Sequence, residues 1–225
     1  MQQFFAIVLG FGLLFLLWRQ WRLAAKRLAA LPIQLFSQIQ DLLEHPQISG
    51  GEAVGTWIMT GLYKDHAFQL KAIVDSLATR KLPSLWLMIT LPEPQNVKAS
   101  LDLVMRPTAL TSFSNFDFLL HTLQTPFGFP AHAVLRTEDP AICPSPEVLR
   151  PYLELFEGRN GKEFLVSPKG LRIVVLVAEV DRLLYGVFRE ANFGATVIDP
   201  ELAEQCLNTL LELNERIIDP HGRKA

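Results

Sequence analysis

The residues best able to do chemistry are scattered along this chain. Its five histidines are His45, His66, His121, His132 and His221. No two stand three or four positions apart, the spacing that lets one helix face present two ligands to an ion. Asp65 and His66 are adjacent, but they fall in a polar turn where solvated side chains are expected. Ser112 and Ser114 lie close to Asp117 and His121, which supplies the residue types of a hydrolytic triad. A triad is defined by geometry in space, however, and neighbours in sequence do not make one. Glu179 and Asp181 would share one side of a strand, an arrangement that can share a proton or hold a cation. Arg182 follows at once and points instead to a surface ion cluster. Cys143 and Cys206 are far apart and belong to no CxxC, so they read as ordinary thiols. There is no GxSxG, no phosphate-cradling loop, no dinucleotide fingerprint and no HExxH. The residue types therefore assign no catalytic, cofactor-binding or metal-binding position, and no cofactor.

Charge narrows the partners. The 225 residues carry 21 basic and 23 acidic side chains, a formal net charge of −2. Arg19, Arg22, Lys26 and Arg27 form a basic run before the first acid, Asp41. Removing those four leaves 17 bases against 23 acids in the rest of the chain. An acidic domain with no basic stripe lacks the footprint that phosphate binding needs, so nucleic acid is not an expected partner.

The first 18 residues hold no charge. As a helix they would reach about 27 Å, close to the hydrocarbon thickness of a bilayer. The positive charges follow the apolar run and no small-residue cleavage site ends it, which separates it from a cleavable signal peptide. Residues 1–18 are thus expected to form a transmembrane helix. Phe4, Leu9, Leu13 and Leu17 face lipid, and Trp18, Arg19, Trp21 and Arg22 sit at the interface. Four cations on the C-terminal side put that side in the cytoplasm and the N-terminus outside. Ala6 and Gly10 have the small-residue spacing of a helix-dimer face, a weak signal.

Residues 19–46 continue as a basic juxtamembrane and amphipathic segment. Pro32 suits the first turn of a new helix, and His45-Pro46 suits its stop. Leu35, Phe36, Ile39, Leu42 and Leu43 form an apolar stripe at helical spacing. That stripe must cover the membrane surface, the following domain or a partner, and it is the candidate partner-binding face. Ser49-Gly50-Gly51 resembles a hinge.

Residues 47–225 read as one cytoplasmic α+β domain with a largely antiparallel sheet packed by helices. Period-two patterns predict a hairpin around Lys64-Asp65-His66, a central strand over 85–91, and a strand over 101–105 pairing with it. Residues 131–136 predict another strand. A second hairpin turns at Pro168-Lys169-Gly170. Ser145-Pro146-Glu147 starts a helix that Pro151 disturbs. Residues 107–130 hold five phenylalanines, readable as a core plug or as an apolar groove. Residues 181–198 fit helix and strand equally. A C-terminal helix is capped by Asp199, with Leu202, Cys206, Leu210, Leu213 and Ile217 on one face.

Three functional expectations follow. The first is a single-pass membrane protein whose cytoplasmic domain is an interaction, scaffold or accessory subunit of a membrane complex, with a membrane-protein partner or a second copy. The second is a lipid-binding domain at the membrane surface, and the third a hydrolase acting on a membrane-associated substrate.

Overall fold

The computed structural model describes residues 33–50, 56–75, 82–107, 113–157, 160–180 and 195–218, with single residues at 15, 18, 19, 182, 185 and 193. Nine strands make one sheet: β1 (Glu44–Gly50), β2 (Thr56–Tyr63), β3 (His66–Asp75), β4 (Ser84–Leu91), β5 (Leu101–Met105), β6 (His121–Leu123), β7 (Ala133–Thr137), β8 (Gly161–Ser167) and β9 (Gly170–Glu179). Their order across the sheet is β1-β2-β3-β4-β9-β8-β5-β7-β6. Every pairing is antiparallel. One long helix, α1 (Pro200–Ile218), follows the sheet.

Alternation divides the sheet into two faces. Leu85, Leu87, Ile89 and Leu91 of β4 face one side, together with Leu171, Ile173 and Val175 of β9 and Phe164 and Val166 of β8. There they join Cys206, Leu207, Leu210 and Leu213 of α1 in the main core. The helix starts where the pattern places it: Asp199 Oδ1 accepts from Glu201 N at 3.0 Å, and Pro200 is its first residue. Leu202 is only partly buried, whereas Ala203 and Leu207, outside the predicted stripe, are sealed.

The predicted hairpins form. Lys64 and Asp65 have φ of 50° and 67°, so both central residues of the β2–β3 turn are left-handed, as a two-residue turn matching strand twist requires. Gly170 has φ 150°, and a Cβ there would lie 2.3 Å from the Leu91 carbonyl oxygen, so glycine is required.

The predicted pairing of 101–105 with the central strand is not formed. β4 pairs with β3 and β9, and β5 pairs with β7 and β8. The β8–β9 hairpin occupies the place between them. The 92–100 connection crosses the hairpin's end, where Gln95 N donates to Pro168 O at 3.1 Å.

The stretch before the sheet also differs from expectation. Residues 33–36 are helical and a short 3-10 turn covers Gln40–Leu42, but β1 begins at Glu44. His45-Pro46 and Ser49-Gly50 are therefore strand, neither a helix stop nor a hinge. His45 takes φ 52° at the irregular register between Glu44 and Gln47.

The stripe Leu35, Phe36, Ile39, Leu43 is buried in the main core, with Leu42 packed against it. Phe36 and Ile39 are 0% exposed. Ile198 N donates to Leu35 O at 3.1 Å, tying the stretch to the chain just before α1. A Cβ on Gly61 of β2 would meet Glu44 O and Leu43 Cβ, each at 2.9 Å, so the stretch lies directly on the sheet. Four of the five side chains are sealed against this domain, and Leu42 is half-buried beside them. Burying such side chains stabilises by about 1.5–3 kcal/mol each. Residues 33–43 thus pack against the sheet, and β1 begins at Glu44.

The 3-10 helix Pro146–Phe156 starts at Ser145, whose side chain accepts from Glu147 N, and Pro151 lies inside it. It buries Leu149, Tyr152, Leu153 and Phe156 on the same face as α1. Of the expected anchor, Phe15, Trp18 and Arg19 are helical and exposed. Phe4, Leu9, Leu13, Leu17, Trp21 and Arg22 lie outside the described residues. Among the described residues, no helix is long and apolar enough to cross a membrane.

Candidate functional site

The second face of the sheet is polar at its centre. Direct pairing aligns Thr90 of β4, Arg172 of β9, Leu165 of β8, Asp102 of β5 and Arg136 of β7 in one rung. The next rung aligns Met88, Val174, Glu163 and Val104. Asp102 and Glu163 are therefore diagonal neighbours, within reach of each other on one face. They are 1% and 0% exposed.

As diagonal neighbours sealed from water, the two carboxyls influence each other's titration. Among the described residues, Asp102 Oδ1 and Glu163 Oε2 have no donor. Two like charges buried side by side on one face disfavour ionising together, which favours one proton held by the pair. Burial pushes Asp102 well above its ordinary value, and the neighbouring Glu163 adds to the shift, with Arg172 opposing it. Burial also raises Glu163, against the pull of Arg172 and the Ser114 hydroxyl. Arg172 Nη1 stands 3.9 Å from Glu163 Oε1, and Ser114 Oγ donates to the same oxygen at 3.1 Å.

A strap of residues 113–118 covers this centre. Arg172 Nη1 donates to Phe113 O at 3.1 Å, and Arg136 Nη1 donates to Phe116 O at 3.3 Å. Arg136 also lies 3.5 Å from Asp117 Oδ1 and stacks its guanidinium 4.7 Å from the Phe116 ring centroid. Phe113 packs with Ile73, Met88, Val174 and Trp86 in a small second core. Its ring centroid is 5.7 Å from that of Trp86.

The strap then turns outward. Phe118 is 80% exposed, Leu120 84% and Phe127 98%. They flank β6, which among the described residues pairs with β7 alone and stands at the sheet's edge. The phenylalanine-rich segment is thus a core plug at Phe113 and Phe116 and an open apolar surface at Phe118 and Phe127.

The residues weighed as a triad are dispersed. Ser114 serves Glu163, Asp117 pairs with Arg136, and His121 is exposed on β6. Ser112 and Asp181 lie outside the described residues, and Glu179 is exposed at the end of β9. His66 instead meets Glu93 at 2.7 Å, and Glu93 accepts from Asn214 of α1 at 3.2 Å. That network fastens the helix to the sheet. Among the described residues, no group of three His, Cys, Asp or Glu is placed to hold a metal ion.

Sequence reading missed Asp102 and Glu163. An acid inside the run Leu101–Met105 reads as the polar alternate of a half-solvated strand. The signal available was Arg172 and Arg136 at strand positions of the same parity, which become partners only once the register is known. No family model, curated protein or solved structure matches this chain.

Proposed function

We propose that the chain is a single-pass membrane-anchored protein, N-terminus outside, whose cytoplasmic α+β domain is an interaction or accessory subunit of a membrane complex. The observation that carries this reading is the apolar edge formed by Phe118, Leu120 and Phe127. Single exposed hydrophobics are ordinary on a soluble surface, but three large ones within ten residues at one sheet edge are suited to association. The uncharged residues 1–18 and the cations after them supply the anchor.

The apolar residues flank β6, the sheet edge farthest from β1. The chain enters the sheet at β1, and β6 is the opposite edge. Eight interstrand steps at about 4.8 Å put roughly 38 Å between them. The edge at β6 lies opposite β1, and anchoring the chain would raise the effective concentration of a membrane partner. The sealed carboxyl pair gives no comparable support to a hydrolase, since a substrate has no access to Asp102 or Glu163 beneath the strap.

Photo-crosslinking from a reactive residue at position 127 of the full-length chain in native membranes tests this. A protein adduct of defined mass, absent when the reactive residue is moved to exposed Glu154, is expected. Adducts with lipid alone would replace this reading with lipid binding, and no adduct from 127 would remove it.

A further inference from the structure

We propose that the strap 113–118 is a proton-controlled latch: one proton held between Asp102 and Glu163 keeps it closed, and loss of that proton releases it. The geometry supplies both halves. The strap is fastened by contacts that converge on the pair's surroundings: Ser114 Oγ on Glu163 Oε1, Arg172 on Phe113 O, and Arg136 on Phe116 O. Among the described residues, neither Asp102 Oδ1 nor Glu163 Oε2 has a hydrogen-bond donor, although both are buried.

The charges around the pair balance only in the protonated state. Arg172 comes from β9 and faces Glu163. Lys162 of β8 acts on Glu163 from a distance, with its ammonium donating to Met105 O and Arg106 O at 2.7 and 2.9 Å. Arg136 of β7 lies directly opposite Asp102 but turns to Asp117 on the strap. Glu138, just beyond β7, adds a further negative charge towards Asp102. It is held by Ser100 N and Oγ at 2.6 and 2.7 Å. With one proton on the pair, Arg172 faces a single negative charge. Without it, two buried carboxylates share one guanidinium beside Glu138, and the surplus charge must reach water. The way to water is through the strap, whose Ser114 already sits on Glu163.

The strap continues into Phe118, Leu120 and β6, so its release also moves the apolar edge. That consequence rests on the docking reading above. The latch itself does not, because it is read without any partner.

Hydrogen exchange of the full-length chain between pH 5 and 9, corrected for the intrinsic pH dependence of exchange, tests the latch. Protection of residues 113–118 is expected to fall by about tenfold per pH unit over the range in which one proton is released, while β8 and β9 keep theirs. Asp102→Asn leaves a permanent donor beside Glu163 and is expected to abolish that fall. Glu163→Gln removes the other carboxyl and is expected to flatten it too. Constant protection of the strap in the unmodified chain would overturn the proposal, and so would the same fall in both variants. A loss shared equally by β8 and β9 would mean global unfolding and would also overturn it.

Discussion

Asp102 on β5 and Glu163 on β8 are diagonal neighbours on the covered face of the sheet, both closed to solvent. Both carboxyls lie above their ordinary values, 3.8 and 4.5, chiefly because burial disfavours the charged form. The folded state therefore holds a proton that the unfolded state has already lost as pH rises past the ordinary carboxyl range. The pair's contribution to stability is fully present below that range and declines until the raised folded values are passed. Asp102→Asn removes the proton linkage. Its denaturation midpoint should rise relative to that of the unmodified chain as pH increases from 4 to 8. A constant difference would show that the pair does not titrate with folding.

Arg172 is the only guanidinium among the described residues that faces Glu163 directly, at 3.9 Å. Arg172→Leu leaves the buried carboxyl without its counter-charge and frees Phe113 O from its donor. Removing one member of a buried pair typically costs about 3–5 kcal/mol. The loss is expected to be largest at high pH, where Glu163 is ionised, and urea titrations at pH 5 and 8 check it.

Phe36 and Ile39 were expected to serve a partner and instead close the main core. Phe36→Ala should destabilise by about 3–5 kcal/mol, and Ile39→Ala by about 2–5. A partner-facing stripe would leave the isolated chain's stability nearly unchanged. Equilibrium denaturation of each variant separates the two.

Cys206 of α1 is sealed in the core, and burial pushes its thiol up to about 12. Cys143 is partly exposed, and both are free. At pH 8 a small alkylating reagent should label Cys143 in the native chain and reach Cys206 only after denaturation. Mass spectrometry of the two peptides checks this.

Local signals made the hairpins readable. Lys64-Asp65 and Pro168-Lys169-Gly170 are short turns between alternating strands, and Ser145-Pro146 and Asp199-Pro200 are start signals fixed within a few residues. Strand order was not local. The insertion of β8–β9 between β4 and β5 pairs β4 with residues 80–95 positions on and β5 with residues 59–65 positions on, and nothing in the run Leu101–Met105 announces it. The carboxyl pair was hidden for the same reason, because Asp102 and Glu163 are 61 positions apart and meet only through that order. The stripe at 35–43 was recognised as apolar and helical in spacing, but periodicity says only that a face is covered, not by what.

Phe118→Ser, Leu120→Ser and Phe127→Ser alter side chains that mostly face solvent, so each should change stability by no more than about 0.5 kcal/mol. Their effect should fall on association. The decisive measurement is the protein mass of the full-length chain extracted in a mild detergent, by light scattering with the detergent contribution subtracted. A mass above that of one chain is expected, reduced to a single chain when the three substitutions are combined. A monodisperse single chain from the unmodified protein, with nothing bound, would contradict a role in assembly.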